Sequence, residues 1–246
     1  CIMATHPKTE ATSLYDNLQE MSTRELLNNI NREDQKVARA VQHTIPAIEA
    51  LVDRMLPGFQ AGGRLFYLGA GTSGRLGVLD ASEIPPTYGL PHDRIIGLIA
   101  GGDSALRISS EQAEDDPQNA VQDLAPYTLN ERDTVLGIAS SGTTPYVLGA
   151  VAFAKKQGAL TAGLTNNPGA PLSKAAEIAI EVAVGPEFVT GSTRMKGGTS
   201  QKMVLNMIST ALMIRIGRVQ GNKMVNMQLN NQKLVRRGTR FLMEEL

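Results

Sequence analysis

The chain carries a single cysteine, Cys1. No disulfide can close within it, and such a composition suits a reducing compartment, the cytoplasm. Histidine is scarce as well: His6, His43 and His92 are the only three. They lie far apart in sequence, and no metal-ligand spacing is present, so neither a metal nor another cofactor is expected. Long apolar runs are missing. No stretch of about 18 apolar residues exists, which excludes an ordinary transmembrane helix. The opening Cys1-Ile2-Met3-Ala4-Thr5 lacks the basic-then-apolar order of a signal peptide, and Met3 reads as the biological start. Excess charge is absent too. The 24 Lys and Arg residues balance 24 Asp and Glu residues, so no field advertises a nucleic-acid or membrane partner. What is present is an ordinary globular mixture, 42% hydrophobic and 20% charged over 246 residues. That is enough for one large α/β domain or two small ones.

Residues 1–12 read as a loose arm. Ser22 or Thr23 can cap a helix, and Glu25 follows Ser22 at capping-box spacing. Val37, Val41, Ile45, Ile48, Leu51, Val52 and Met55 then recur at helical spacing, with Pro46 expected to kink this helix or begin a new one. Gly58, Gly62 and Gly63 close an N-terminal helical segment, residues 1–60. The grammar changes at Arg64. Short apolar runs at Leu65–Leu68, Ile95–Ala100, Val135–Ala139, Leu160–Leu164 and Ile178–Val182 alternate with stretches long enough for helices. The first four stop at small, turn-forming or hydroxyl residues. This pattern predicts a parallel sheet of about five strands covered on both faces, with ligands at the carboxyl ends of the strands. Thr199 to Ile216 is a further apolar helix, its methionines belonging to a core, stopped by Gly217. Residues 222–246 mix basic and apolar residues as an amphipathic helical extension.

Three loops carry chemistry. Gly69-Ala70-Gly71-Thr72-Ser73-Gly74 follows a strand and opens a helix. Formally it matches a dinucleotide fingerprint, but Asp103 is a poor candidate for the acidic partner that fingerprint needs. Gly71, Thr72 and Ser73 at a helix N-terminus suit a phosphate instead, and a plain capped turn is the bland alternative. Ser140-Ser141-Gly142-Thr143-Thr144-Pro145 repeats the arrangement after the third strand. Ser140, Ser141, Thr143 and Thr144 could converge with the first loop on one phosphate monoester, each hydrogen bond to a charged oxygen contributing roughly 1.5–3 kcal/mol. No Gly-Lys-Ser/Thr element exists, which excludes a P-loop. The third stretch, Thr190 to Thr199, holds Ser192, Arg194 and Lys196. It either closes over a sugar phosphate or leaves both cations in solvent. Among the acids, Glu83 stands before Pro85 and Pro86, which are expected to break the helix, and Glu114 sits in an acidic cluster with Glu111, Asp115 and Asp116. Spacing alone does not pair them.

The run from Gly69 through Ser82-Glu83-Ile84-Pro85-Pro86 to Gly89 resembles the signature of the N-acetylmuramic acid 6-phosphate etherases. So do Val189 to Lys196 and Gln201 to Met207. The resemblance implies a sugar isomerase (SIS) three-layer fold over residues 61–221, a homodimer, no metal or cofactor, and a cytoplasmic carbon–oxygen lyase of cell-wall sugar recycling. It would release D-lactate and N-acetylglucosamine 6-phosphate. It further implies that Glu83 and Glu114 are the two acid/base groups. Glu114 as a carboxylate would take the C2 proton, and Glu83, kept neutral by burial, would protonate the departing lactate oxygen. Gln112 and Thr143 stand where the family usually has glycine and often arginine, and Ala11-Thr12-Ser13 departs from its pattern after Thr9-Glu10. Family members continue into a small helical tail, so the extension at 222–246 is expected to be cut short. A phosphosugar isomerase and a non-catalytic phosphosugar-binding regulator, like the glucokinase regulatory protein, are the rival readings on the same fold.

Overall fold

The computed structural model describes residues 7–108, 111–228 and 232–245. Two long helices come first, α1 (Thr23–Gln42) and α2 (Ile45–Gln60). Ser22 and Glu25 form the reciprocal cap expected at the start of α1. Pro46 begins α2 rather than kinking one longer helix, because its missing N–H is harmless in a first turn. The expected strands all form: β1 (Leu65–Gly69), β2 (Ile95–Ile99), β3 (Thr134–Ile138), β4 (Leu160–Thr165) and β5 (Ile178–Glu181). They make one sheet, all parallel, in the order β2-β1-β3-β4-β5.

Helices cover both faces. α3 (Gly71–Tyr88) and α7 (Lys196–Arg215) join α1 and α2 over a core that includes Tyr67, Leu136, Ile138, Leu164 and Ile180. On the other face α4 (Pro117–Leu124), α5 (Pro145–Lys156) and α6 (Pro171–Ala175) bury Phe66, Leu68, Val135 and Ala139. The chain continues through a small hairpin, β6 (Val219–Gln220) with β7 (Lys223–Met224), to α8 (Gln232–Glu245). Asn222 to Met224 belong to the hairpin and not to the amphipathic helix expected from Asn222, which among the described residues runs over Gln232–Glu245. Among the described residues no helix is long and apolar enough to cross a membrane.

Two expectations fail. Pro85 and Pro86 do not break α3, which runs through both to Tyr88 and stops at Gly89 in the left-handed conformation. The prolines sit so near the end that few backbone bonds are forfeited, and Gly89 N–H closes on Pro85 O at 2.9 Å. Nor is the described part of the arm loose. Thr9 is fully buried, and Ser13 Oγ donates to Phe188 O at 2.7 Å while Tyr15 packs on Phe188. Residues 1–6 lie outside the described part of the chain.

α3 lies unusually close to the sheet. A Cβ added at Gly97 of β2 would come within 2.6 Å of Val78 Cα on α3. Gly97→Ala is therefore expected to lower stability by about 1–3 kcal/mol, a Tm drop of roughly 3–10 °C by calorimetry. An unchanged Tm would show that this helix–strand contact has slack.

Candidate active site

The glycine- and hydroxyl-rich loops meet at the carboxyl edge of the sheet, and α7 joins them. Gln201, on the first turns of α7, is completely buried. Its Oε1 accepts from Ser73 Oγ at 2.9 Å, and its Nε2 donates to Ser140 Oγ at 2.9 Å and to Asn166 Oδ1 at 3.3 Å. One amide thus bridges the loop after β1 and the loop after β3. Close approach needs a glycine: a Cβ at Gly197 would stand 3.0 Å from Ser140 Oγ. In the second loop Thr143 donates through both its N–H and its hydroxyl to Ser141 Oγ, at 3.2 and 2.9 Å. Gly142 takes the left-handed conformation, with its Cα facing Ala170 and Thr165.

Three helix N-termini point at this edge, and they are not equivalent. Among the described residues no side chain caps the start of α3 or of α5. Their first-turn N–H groups, including those of Gly71, Thr72 and Ser73, are open to an anion. The start of α7 is closed: buried Glu187 accepts from Lys196 N–H at 2.9 Å and Gly197 N–H at 2.8 Å. Lys196 does not face substrate as expected. It is buried, and its Nζ donates to Glu33 Oε2 at 2.7 Å. Glu33 also accepts from Lys36 at 2.6 Å and Tyr15 at 3.0 Å. Burial alone would raise the Glu33 carboxyl, but the bonds from Lys196, Lys36 and Tyr15 outweigh it and hold it near about 2. Arg194, by contrast, is exposed and lines a cavity of about 320 Å³ with Thr72, Gly198, Thr199 and Lys202. Ser192 stands half-buried in the turn before α7.

The two acids stand on different elements, and the cavity beside Glu83 does not include Glu114. Glu83 is exposed on α3 and lines a cavity of about 250 Å³ with Leu76, Asp80, Lys202 and Asn206. Glu114 is not among its lining residues. It ends a short 3-10 turn, Glu111–Glu114, next to Ala113, which packs on the core of the opposite face of the sheet. Glu83 also stands twelve residues beyond Gly71, roughly 18 Å along the helix from the first loop. Glu83 is exposed in this structure, not buried as expected. Behind it, buried Asp80 accepts from Tyr67 Oη at 3.1 Å, Asn206 Nδ2 at 2.6 Å and Ser209 Oγ at 3.2 Å. Burial raises the Asp80 carboxyl against these three bonds, and burial followed by the Asp80 charge raises the Tyr67 hydroxyl well above its usual range. Among the described residues no group of three or more His, Cys, Asp or Glu side chains is arranged to hold a metal ion.

Spacing did not reveal Gln201, Asn166, Glu187 or Glu33. A signal existed for two of them. Glu33 is in phase with Val37 and Val41, and Gln201 with Val204, Leu205 and Ile208, so each is a polar residue on an apolar face.

The parallel sheet, its two helical layers and the hydroxyl loops at one edge define an SIS domain. Family models agree: the glucokinase regulatory protein N-terminal SIS domain matches residues 47–155 and the SIS domain matches residues 118–211. A phosphoheptose isomerase from Neisseria gonorrhoeae superposes with a TM-score of 0.60 at 16% identity, over 78% of this chain and 98% of that one. Far closer in sequence are N-acetylmuramic acid 6-phosphate etherases. That of Porphyromonas gingivalis is 62% identical over 96% of this chain and 86% of its own length. That of Bacteroides fragilis is 61% identical over 97% and 85%. The chain belongs to the N-acetylmuramic acid 6-phosphate etherase family.

Proposed function

We propose that this chain cleaves the D-lactyl ether of N-acetylmuramic acid 6-phosphate with water, giving N-acetylglucosamine 6-phosphate and D-lactate. Beside the family membership, one observation carries the reading: Gln201 ties Ser73 and Ser140 into a single strand-edge site, flanked by the open N-termini of α3 and α5. Such a site suits the 6-phosphate, with Thr72, Ser141, Thr143, Thr144 and Arg194 around it.

The chemistry then needs a base and an acid. An ether is a poor electrophile, so direct displacement by water is slow. Opening the sugar ring exposes a C1 aldehyde, which acidifies the C2 proton. One carboxylate removes that proton, the C3–O bond breaks, and the lactate oxygen leaves with a proton from a second carboxyl group. Water adds to C3 of the unsaturated aldehyde while C2 is reprotonated. Glu114 and Glu83 are the carboxyl groups proposed for these steps.

Because the two stand in opposite helical layers, the reading includes a homodimer in the cytoplasm. A second copy laid across the α3–α7 groove, where Leu79 is half exposed, would desolvate Glu83 and carry it to the partner's strand-edge site. Turnover in deuterium oxide is the test. Deuterium at C2 of the product N-acetylglucosamine 6-phosphate, read by proton NMR, is the expected result. Hydrogen retained at C2 through full turnover would exclude elimination, and formation of a ketose phosphate without lactate would favour an isomerase.

A further inference from the structure

We propose that Gln201 is a positioning residue that consumes the hydroxyl proton of Ser73 and leaves that of Ser140 for the substrate phosphate. The inference rests on the phosphosugar reading above and assigns a division of labour inside it. The direction of the hydrogen bonds follows from one fixed end. Asn166 Nδ2 lies 3.0 Å from the Val182 carbonyl oxygen, which can only accept. It also lies 2.8 Å from Ser200 Oγ, whose own proton goes to Gly197 O at 2.7 Å. The nitrogen of Asn166 is therefore on that side, and Oδ1 must face Gln201. An amide oxygen there requires a donor, so Nε2 is the atom of Gln201 that meets it, at 3.3 Å.

With Gln201 fixed in this sense, its two serine contacts become opposites. Oε1 faces Ser73, so Ser73 donates its only side-chain proton inward, at 2.9 Å, and is buried there. A phosphate dianion has only acceptors, and Ser73 has no proton left for one. Nε2 faces Ser140, whose oxygen accepts at 2.9 Å and whose own proton remains. Among the described residues no hydrogen bond uses that proton. Ser140 is half-buried at the carboxyl edge of the sheet, and its carbonyl is pinned by Asn166 N–H at 3.0 Å, Asn167 Nδ2 at 2.8 Å and Thr165 Oγ1 at 3.1 Å. The first loop then offers the anion backbone N–H groups, whereas the second offers a side-chain proton.

The experiment measures the inhibition constant of inorganic phosphate, together with KM and kcat, for Ser140→Ala, Ser73→Ala and Gln201→Glu. Ser140→Ala is expected to weaken phosphate and raise KM by roughly 10- to 100-fold, the range of one hydrogen bond to a charged group. Ser73→Ala is expected to lower Tm but to shift phosphate inhibition less than about threefold, since its hydroxyl faces inward. Gln201→Glu replaces the donor to Ser140 with a carboxylate that draws its proton away. It should match Ser140→Ala in KM and phosphate inhibition while kcat changes by less than about tenfold. Equal weakening by Ser73→Ala and Ser140→Ala would overturn the role of Gln201 and leave the phosphate site standing. No weakening by Ser140→Ala would overturn the donor role assigned to Ser140, while phosphate failing to inhibit the wild-type enzyme would overturn the phosphate site itself. If Gln201→Glu does not fold, the comparison of the two serine variants still decides.

Discussion

Glu83→Gln is expected to lower D-lactate release by roughly 10²- to 10⁴-fold with little change in KM, and Glu114→Gln to do the same. Glutamine keeps the size and polarity of the side chain but cannot exchange a proton, so binding should survive where chemistry does not. Measuring lactate against phosphosugar concentration separates the two. The arrangement of the acids makes a sharper test available. Glu83 is exposed on α3, on one side of the sheet, and Glu114 ends a turn on the other. If each reaction centre draws Glu83 from one protomer and Glu114 from its partner, a mixed dimer of the two dead variants contains one doubly altered site and one intact site. Unfolding and refolding the variants together, with random pairing, should then restore about a quarter of wild-type activity. No recovery from a mixture proven to contain mixed dimers would mean that both acids act within one chain. Full activity in either single variant would remove that residue from the mechanism.

Lys196→Met is expected to cost about 3–5 kcal/mol of stability, because it removes the one buried cation that pairs with the Glu33 carboxylate and leaves it only the half-exposed Lys36. The pairing of Lys196 with Glu33 joins α1 to the first turn of α7, and Glu187 holds the neighbouring N–H groups of the same turn. The pair also sets an acid limit. The Glu33 carboxyl is held near about 2 in the folded protein, against an ordinary value of 4.5. A depressed carboxyl contributes its stability in full above the unfolded value and loses it as pH falls between the two. Wild-type protein should thus lose this contribution progressively from about pH 4.5 down to about pH 2. In Lys196→Met the loss should begin at higher pH, since burial then acts on Glu33 with fewer opposing bonds. Urea denaturation at several pH values reads both effects. A Lys196→Met midpoint equal to wild type at neutral pH would show that the pair contributes nothing net.

Much of this architecture was legible in the residues, because its signals are local. Five short apolar runs, the first four ending at a turn, mark the strands, and Ser22 with Glu25 marks the start of α1. Signals fail where distant segments decide. Pro85 and Pro86 look like a helix stop, yet they fall in the last turn before Gly89, where a helix ends anyway. The arm looked loose because nothing near Thr9 in sequence is its partner. It packs instead against Asn167, with Thr9 N–H reaching Asn167 Oδ1 at 3.2 Å. The site divided in the same way. Glycine and hydroxyl clusters identified the two loops, whereas Gln201, the residue that joins them, lies 61 positions beyond Ser140, and its place in the family signature and on an apolar face does not say what it bonds to. Lys196, read as a substrate cation, is taken by an acid 163 positions away.

The docking of the arm has a consequence for the order of events during synthesis. Asn167 Nδ2 donates both to Thr9 Oγ1 and to the carbonyl of Ser140, so the arm braces the loop after β3. Ser13 and Tyr15 are bound by Thr190 and Phe188, later still in the chain. At roughly 5–20 residues per second, this segment waits on the order of 10–40 s after its own synthesis before its docking surface exists. Whatever holds that stretch apart meanwhile, solvent or a chaperone, acts on the half-made chain, and the strand edge is finished by a segment made long before the residues it packs on.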